Sequence, residues 1–143
     1  MPPTRLLEER LTHSVIGAFY QVYNAFGFGF LEHVYTMALE RELRSRGHVV
    51  AREVQVPVFF KGEELTRQRI DMLVDEALIV EAKATVTLHK SASTQVYNYL
   101  CATRLQVALL LHFGPAPTFF RLVRTSPRPQ TPNESTPDSS DSE

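Results

Sequence analysis

Three charged residues lie within two segments whose other residues are all apolar. Asp71 is in the segment 70–74, and Glu81 and Lys83 are in the segment 78–84. Short apolar runs of this kind are typical of strands that are largely buried. Burying a lone carboxylate or ammonium is costly unless it is paired or bound to a metal. The sequence therefore predicts a sheet that carries a polar site among apolar side chains.

The three charges are expected to converge on one place. Side chains alternate along a strand, so Glu81 and Lys83 share one face while Ala82 points to the other. A turn at Asp75-Glu76 can fold the preceding strand back and bring Asp71 opposite them. Two acids and a lysine at one place can hold a divalent metal ion and orient a water for attack on a phosphodiester.

The order of elements follows from hydrophobic spacing and turn residues. Apolar residues recur at helical spacing over 4–25, before Gly27, and a second helix is predicted from about Phe30 to Arg46, with Gly47 after its end. Strands are predicted at 49–60, 65–74 and 77–84, a helix at 90–104, and strands at Val107 to Phe113 and Thr118 to Val123. This order, ααβββαββ, predicts an α/β (α+β) protein with a mixed sheet flanked by helices.

Four elements, in order along the chain, resemble known nucleases. An acid followed by acid-x-lysine, here Asp71 and then Glu81-Ala82-Lys83, is the pattern of the PD-(D/E)XK nuclease superfamily. Gly29-Phe30-Leu31-Glu32-His33-Val34-Tyr35 resembles the signature of the bacterial GxxExxY family, a branch of that superfamily, and Gln95-Val96-Tyr97-Asn98-Tyr99 is similar to the Q-x-x-x-Y element of RecB-like nucleases. The resemblance covers roughly residues 10 to 124. Ile70 stands where the superfamily name has proline, and His112 where asparagine is expected.

The resemblance implies a restriction-endonuclease-like core and hydrolysis of phosphodiester bonds in nucleic acid, with DNA as the expected substrate. It implies that Asp71, Glu81 and Lys83 are catalytic and that Glu32, Asp71 and Glu81 hold Mg²⁺ or Mn²⁺, with help from the Ala82 carbonyl. Oxygen ligands suit these ions better than structural zinc. Lys83 would position or activate the attacking water.

Three further residues are predicted to bind substrate, each with a structural alternative. By alternation, Arg69 shares a face with Asp71 and either pairs with a carboxylate or contacts the phosphate. Gln95 and Tyr99 border the active site in RecB-like enzymes, but their spacing is also that of an ordinary packed helical pair.

The acid-lysine set has structural alternatives of its own. Glu32 falls in the first turn of its helix, where an acid can simply complement the positive end of the helix. The pair Glu81 and Lys83 can form a structural salt bridge on a sheet. A protein with such a structural pair would be a non-catalytic nucleic-acid-binding or protein-adaptor module that retains the nuclease fold.

Composition divides the chain into one domain and a tail. Residues 1–125 are predicted to form the nuclease-like domain, and the Pro, Ser and acid-rich segment 126–143 is predicted to be disordered. The tail holds one basic and four acidic residues, which leaves 14 basic and 12 acidic residues before it. This mildly basic balance permits nucleic-acid binding without demanding it. A homodimer or a partner protein could assist in substrate delivery.

The cellular setting is predicted from what the sequence lacks. Cys101 is the single cysteine, so no intrachain disulfide can form, and it is interpreted as a small helix-packing residue. The charged N-terminus lacks the apolar region of a signal peptide, and no apolar run approaches the length of a membrane span. We therefore expect a cytoplasmic protein that is not bound to a membrane.

Overall fold

The structure is a computed structural model that describes residues 4–124. The predicted tail, 126–143, lies outside the described residues. The elements are α1 (Thr4–Phe26), α2 (Glu32–Ser45), β1 (Val50–Phe60), β2 (Glu63–Val74), β3 (Leu78–Lys83), α3 (Ser91–Thr103), β4 (Val107–Phe113) and β5 (Pro117–Val123). The predicted order ααβββαββ is confirmed. None of the helices in this range is both long and apolar enough to cross a membrane.

The five strands form one mixed sheet in the order β1-β2-β3-β4-β5. All neighbours are antiparallel except β3 and β4, which are parallel and are joined through α3. A parallel connection needs such a crossover, whereas antiparallel neighbours need only a turn. Helices α1 and α2 pack on one face of the sheet with Leu109 and Leu111, and α3 packs on the other with Ala108 and Leu110. Successive side chains of the apolar strand β4 point to opposite faces of the sheet, so this strand contributes to a hydrophobic core on each face.

Helix α2 begins two residues later than predicted, at Glu32 instead of Phe30. The reason is a side chain inside the helix: the Tyr35 hydroxyl donates to the Gly27 carbonyl at 2.6 Å and accepts the Phe30 N–H at 3.2 Å. These bonds hold the preceding loop in a non-helical path, in which Gly29 has φ +125°. Tyr35, a residue within α2, therefore fixes the position at which this helix begins.

The hairpin of β1 and β2 is longer than predicted because its turn is tighter. Lys61 and Gly62 both have positive φ, 52° and 82°, as the two-residue turns that match the twist of a hairpin require. Strand β2 therefore starts at Glu63 and pairs with β1 over its whole length, but it pairs with β3 only through the residues 72–74. The hairpin tip projects beyond the third strand as a two-stranded arm.

One prediction about packing is wrong. Cys101 is exposed on helix α3 and is not a packing residue. The neighbouring Leu100 is buried instead and takes the place in the core on that turn of the helix.

Candidate active site

The backbone pairing of β2 with β3 ends next to the two acids, Asp71 and Glu81. Their last paired residues are Met72 and Val80, one position before Asp71 and Glu81. Beyond that point the carboxylates replace the backbone partners: the Asp71 N–H donates to Glu81 Oε2 at 2.8 Å, and the Ala82 N–H donates to Asp71 Oδ2 at 3.0 Å. The predicted meeting of Asp71 and Glu81 across the hairpin is confirmed, and the backbone fixes the orientation of both groups.

Glu81 is nearly inaccessible to water, with 4% of its surface exposed. Burial, followed by the neighbouring Asp71 carboxylate, raises the pKa of Glu81 to about 8, against a smaller lowering by the Asp71 N–H and by Lys83. Within residues 4–124 no ion pair includes either acid or Lys83. The salt bridge that would give this set a purely structural role is therefore not formed in the described residues.

Glu32 reaches the same electrostatic environment from helix α2. Loss of water around its carboxyl group, and then the Asp71 carboxylate, raise the pKa of Glu32, while Lys83 lowers it. Glu32 is also the first residue of its helix, so it complements the helix end as well. In the described part of the chain, however, no three His, Cys, Asp or Glu side chains come close enough together to hold a metal ion. Glu32 is near the acid pair without forming a compact cluster with it.

Tyr35 explains why a glycine and a tyrosine flank Glu32 at fixed spacing. Its ring is fully buried and stacks on Phe113 of β4, with ring centroids 4.3 Å apart. Its hydroxyl binds the loop from Gly27 to Phe30, as described above. The tyrosine thus fixes the start of α2, and with it the position of Glu32, relative to the sheet. Sequence reasoning used Tyr35 only as part of a signature and missed this role.

Helix α3 brings Tyr99 to the acids. Tyr99 is buried, and burial together with the charges of Glu81 and Asp71 raises its pKa. Gln95 lies one turn earlier on α3 and is exposed, and its side chain makes no hydrogen bond to any residue in the range 4–124. The structure thus has the predicted tyrosine beside the acids and the predicted glutamine one helical turn from that tyrosine. Their roles in substrate binding stay predictions.

Arg69 lies outside the cluster of acids. Its side chain is exposed, and its guanidinium is 4.0 Å from the carboxylate of Glu53. Alternation does not extend through this part of β2, because Ile70 packs in the core on the α3 side and Met72 packs in the core on the α1 and α2 side. The face of Asp71 therefore does not determine the face of Arg69. A contact between Arg69 and a substrate phosphate stays a prediction.

His112 is a residue that sequence reasoning noted only as a departure from a pattern. It pairs with Lys83 across β3 and β4, and its Nε2 is 2.8 Å from the Thr85 carbonyl oxygen, to which it must donate. A Cβ added at Gly114 would lie 2.6 Å from the imidazole ring, so glycine leaves the room that the ring needs. His112 therefore anchors the chain just beyond Lys83. The available signal was a polar residue within the otherwise apolar strand β4.

Comparisons with known proteins show the family and the fold. The family model described as the PD-(D/E)XK nuclease superfamily matches residues 9–122. The crystal structure of SSO0001 resembles this fold with a TM-score of 0.51 at 17% sequence identity, over 64% of this chain and 48% of the other. This chain thus spans about half the length of that protein, and the likeness concerns the fold alone. No curated protein matches the sequence.

Proposed function

Because this chain belongs to the PD-(D/E)XK nuclease superfamily, we propose that it is a metal-dependent nuclease that hydrolyses phosphodiester bonds in DNA at the site of Asp71, Glu81 and Lys83. The observation that carries the proposal is the pair of reciprocal hydrogen bonds between Asp71 and the Glu81-Ala82 segment. It holds the buried Glu81 beside the partly buried Asp71, and within residues 4–124 neither carboxylate has a cationic partner in contact. Such an arrangement is costly for a fold and is typical of a functional site.

The donor set fits a divalent ion that prefers oxygen ligands. Asp71 and Glu81 would hold it, each with one carboxylate oxygen engaged by a backbone N–H and the other without a hydrogen bond in the described residues. Burial and then the Asp71 carboxylate raise the pKa of Glu81, and a bound cation would lower it again by favouring the ionised form. Mg²⁺ or Mn²⁺ suits these ligands. When bound, the ion would lower the pKa of a water and stabilise negative charge on the phosphate.

The remaining residues of the site would complete the metal site or place the water and the substrate. Glu32, which is near Asp71 without forming a cluster with it, would act through a water. The Ala82 carbonyl is a further oxygen ligand on the same strand. Lys83 is partly buried and has no carboxylate partner in the described chain, so its ammonium is free to orient the attacking water or a phosphate oxygen. Tyr99, Gln95 and Arg69 would place the substrate.

A cleavage assay on the purified protein tests the proposal. Linear, circular and single-stranded DNA, with RNA as a further substrate, are incubated with Mg²⁺, Mn²⁺ or a chelator. We expect cleavage of DNA that needs a divalent ion, and gel patterns that separate internal cutting from trimming at ends. Cleavage that continues in the chelator would contradict the proposed mechanism.

A second candidate is a binding or adaptor module that keeps the fold without turnover. It is favoured by one observation, that no three ligating side chains cluster within residues 4–124. Such a module would bind nucleic acid, or a partner protein, with equal affinity in the presence and absence of Mg²⁺ and would cleave nothing. The assignment to the GxxExxY and RecB-like branches, the cytoplasmic location and a homodimer or partner protein remain proposals from the sequence.

A further inference from the structure

The loop between α1 and α2 exposes a group of apolar side chains that the proposed chemistry does not use. We call residues 26–31, Phe-Gly-Phe-Gly-Phe-Leu, the aromatic rim. Phe28 is 42% exposed and Phe30 is 48% exposed, and Leu31 is more exposed still. The rim contains no charged residue. Apolar side chains that are grouped in contact with water are typical of a surface that binds a ligand.

The rim is held in a fixed conformation. The Tyr35 hydroxyl bonds to both ends of the loop, at Gly27 and Phe30, and the Gly27 N–H donates to the Tyr23 carbonyl at 2.7 Å. The Phe30 ring also packs edge-on against the ring of Phe26, with centroids 5.3 Å apart. These contacts hold the backbone at both ends of the loop and the Phe30 ring in place. A rigid aromatic surface binds a flat ligand at a low cost in conformational entropy.

The rim is continuous with the candidate active site. Phe30 is two residues from Glu32 and Phe28 is four, which limits their separation from it to about 7 Å and about 14 Å along the chain. The Phe30 ring lies 6.3 Å from the Tyr35 ring, and the Tyr35 ring stacks on Phe113 at 4.3 Å. Phe113 directly follows His112, the partner of Lys83 across β3 and β4. A nucleic-acid strand with a phosphate at the acids would therefore have its neighbouring nucleotides within reach of the rim.

We propose that the aromatic rim stacks on unpaired nucleobases of the substrate, so that the site acts on single-stranded DNA or on an unpaired stretch of a duplex. This inference rests on the proposed function. In a duplex each base face is already covered by its neighbours, whereas an unpaired base offers a free face to an aromatic ring. Stacking of this kind tolerates any base sequence. A rim without charges fits base stacking better than it fits contact with phosphates.

The hairpin arm supplies a matched control. Phe59 is also an exposed phenylalanine, at 61%, and it lies in β1 opposite Glu64. Glu64 is seven residues from Asp71 along β2, which is about 23 Å in an extended strand. Replacing Phe59 removes an exposed ring far from the acids, while replacing Phe28 removes one at the rim.

The test measures binding without cleavage. Fluorescence anisotropy with a labelled single-stranded oligonucleotide and with the same sequence as a duplex, both in chelator, is recorded for wild type, Phe28→Ala, Phe30→Leu, Phe28→Trp and Phe59→Ala. We expect Phe28→Ala to bind the single strand about 5- to 100-fold more weakly. Phe30→Leu should bind it more weakly too, whereas Phe28→Trp and Phe59→Ala should bind it like wild type. The salt dependence of binding should not change, because no phosphate contact is lost.

Thermal melts of each variant show whether it is folded. The Phe28 ring has no aromatic partner in the described residues, whereas the Phe30 ring has two, so Phe28→Ala should lose less packing than Phe30→Leu. Wild-type affinity for single strands in both Phe28→Ala and Phe30→Leu would overturn the inference and leave the proposed nuclease intact. So would an equal loss for duplex and single strand, an equal loss in Phe59→Ala, or a change of oligomeric state in the rim variants alone. If wild type neither binds nor cleaves any nucleic acid, the proposed function fails, and the inference fails with it.

Discussion

Two aspartates at opposite ends of one short stretch of hairpin have opposite surroundings. Asp75, in the turn after β2, has both oxygens bonded: Oδ1 accepts the Val49 N–H at 2.8 Å, and Oδ2 is 2.8 Å from Nδ1 of His48. The other ring nitrogen of His48 is 2.8 Å from Oγ of Ser14 on α1. Asp71 lies four residues, or about 13 Å, away along the strand and is partly buried. It is next to the buried carboxyl group of Glu81.

The comparison distinguishes a charged group that stabilises the fold from one that destabilises it. At Asp75 each polar group has a partner, and the resulting chain ties helix α1 and the start of β1 to the turn. At Asp71 the carboxylates satisfy two backbone N–H groups, but their own repulsion is not relieved. Buried polar networks stabilise when they are complete and are costly when they are not. The incomplete network is the one that fits a function.

The chain from Ser14 through His48 to Asp75 has the order of a serine-hydrolase triad. Ser14, however, lies within helix α1, whose neighbouring N–H groups bond along the helix. Acyl transfer depends strongly on free donors for the developing oxyanion. We therefore assign this chain a structural role and use Asp75 as the control for Asp71.

The largest expected difference between the two aspartates is in catalysis. Asp71→Asn should lower DNA cleavage by at least about 10³-fold, since it removes one part of a unit that acts together with Glu81 and Lys83. Asp75→Asn should cleave like wild type. Because such effects are not additive, the double variant Asp71→Asn with Lys83→Met should be little worse than either single variant. Initial rates at saturating Mg²⁺ measure this, and similar losses in the Asp71 and Asp75 variants would remove the distinction between the two regions.

The next difference concerns metal binding. Calorimetry with Mn²⁺ should show binding lost in Asp71→Asn and retained in both Lys83→Met and Asp75→Asn, because an ammonium repels a cation and Asp75 already has its partners. Retention without cleavage is the expected behaviour of Lys83→Met. If Asp71→Asn binds Mn²⁺ as wild type does, the ligand assignment is wrong.

Stability should show the reverse pattern. Asp75→Ala leaves the Val49 N–H and the His48 ring without an acceptor, and we expect a loss of about 1 to 3 kcal/mol in the free energy of unfolding. The lower end is favoured because Asp75 is partly exposed. Denaturation in urea measures the loss, and Asp71→Asn, in which a repulsion is removed, serves as the comparison. An unchanged Asp75→Ala protein would show that the network contributes little to the fold.

The comparison also shows what the sequence could predict. Apolar spacing and turn residues predicted every element, because helices and strands each have their own period. The turn at 75–76 predicted that Asp71 and Glu81 would meet, since it folds one strand back on the other. The interruption near Arg69 and the bonds of Tyr35 and His112 could not be predicted, since they depend on contacts between segments far apart in the chain. Long-range contacts of this kind leave no periodic signal.

The last expected effect is a change in stability with pH. It tests directly how much the buried Glu81 next to Asp71 destabilises the fold. The pKa of Glu81 rises from its ordinary 4.5 to about 8 in the folded protein. A group with a raised pKa stabilises the fold below its unfolded value, and that contribution is lost as pH rises through about 8. In chelator, wild type should therefore lose stability between pH 5 and pH 9 relative to Glu81→Gln, which keeps the shape without the charge.

At pH 9 we expect Glu81→Gln to be more stable than wild type by at least about 1 kcal/mol, because the variant avoids both the burial of a charge and its repulsion from Asp71. At pH 5 the two proteins should be nearly equal, since Glu81 is then protonated. Mg²⁺ should stabilise wild type more than the variant, because an ion that binds only the folded state adds to its stability. A structural salt bridge with Lys83 predicts the opposite sign, a loss of roughly 3 to 5 kcal/mol in Glu81→Gln. Melting curves of both proteins at the two pH values, with chelator and with Mg²⁺, distinguish these outcomes. If the variant is destabilised and wild type does not respond to Mg²⁺, Glu81 is a structural residue like Asp75.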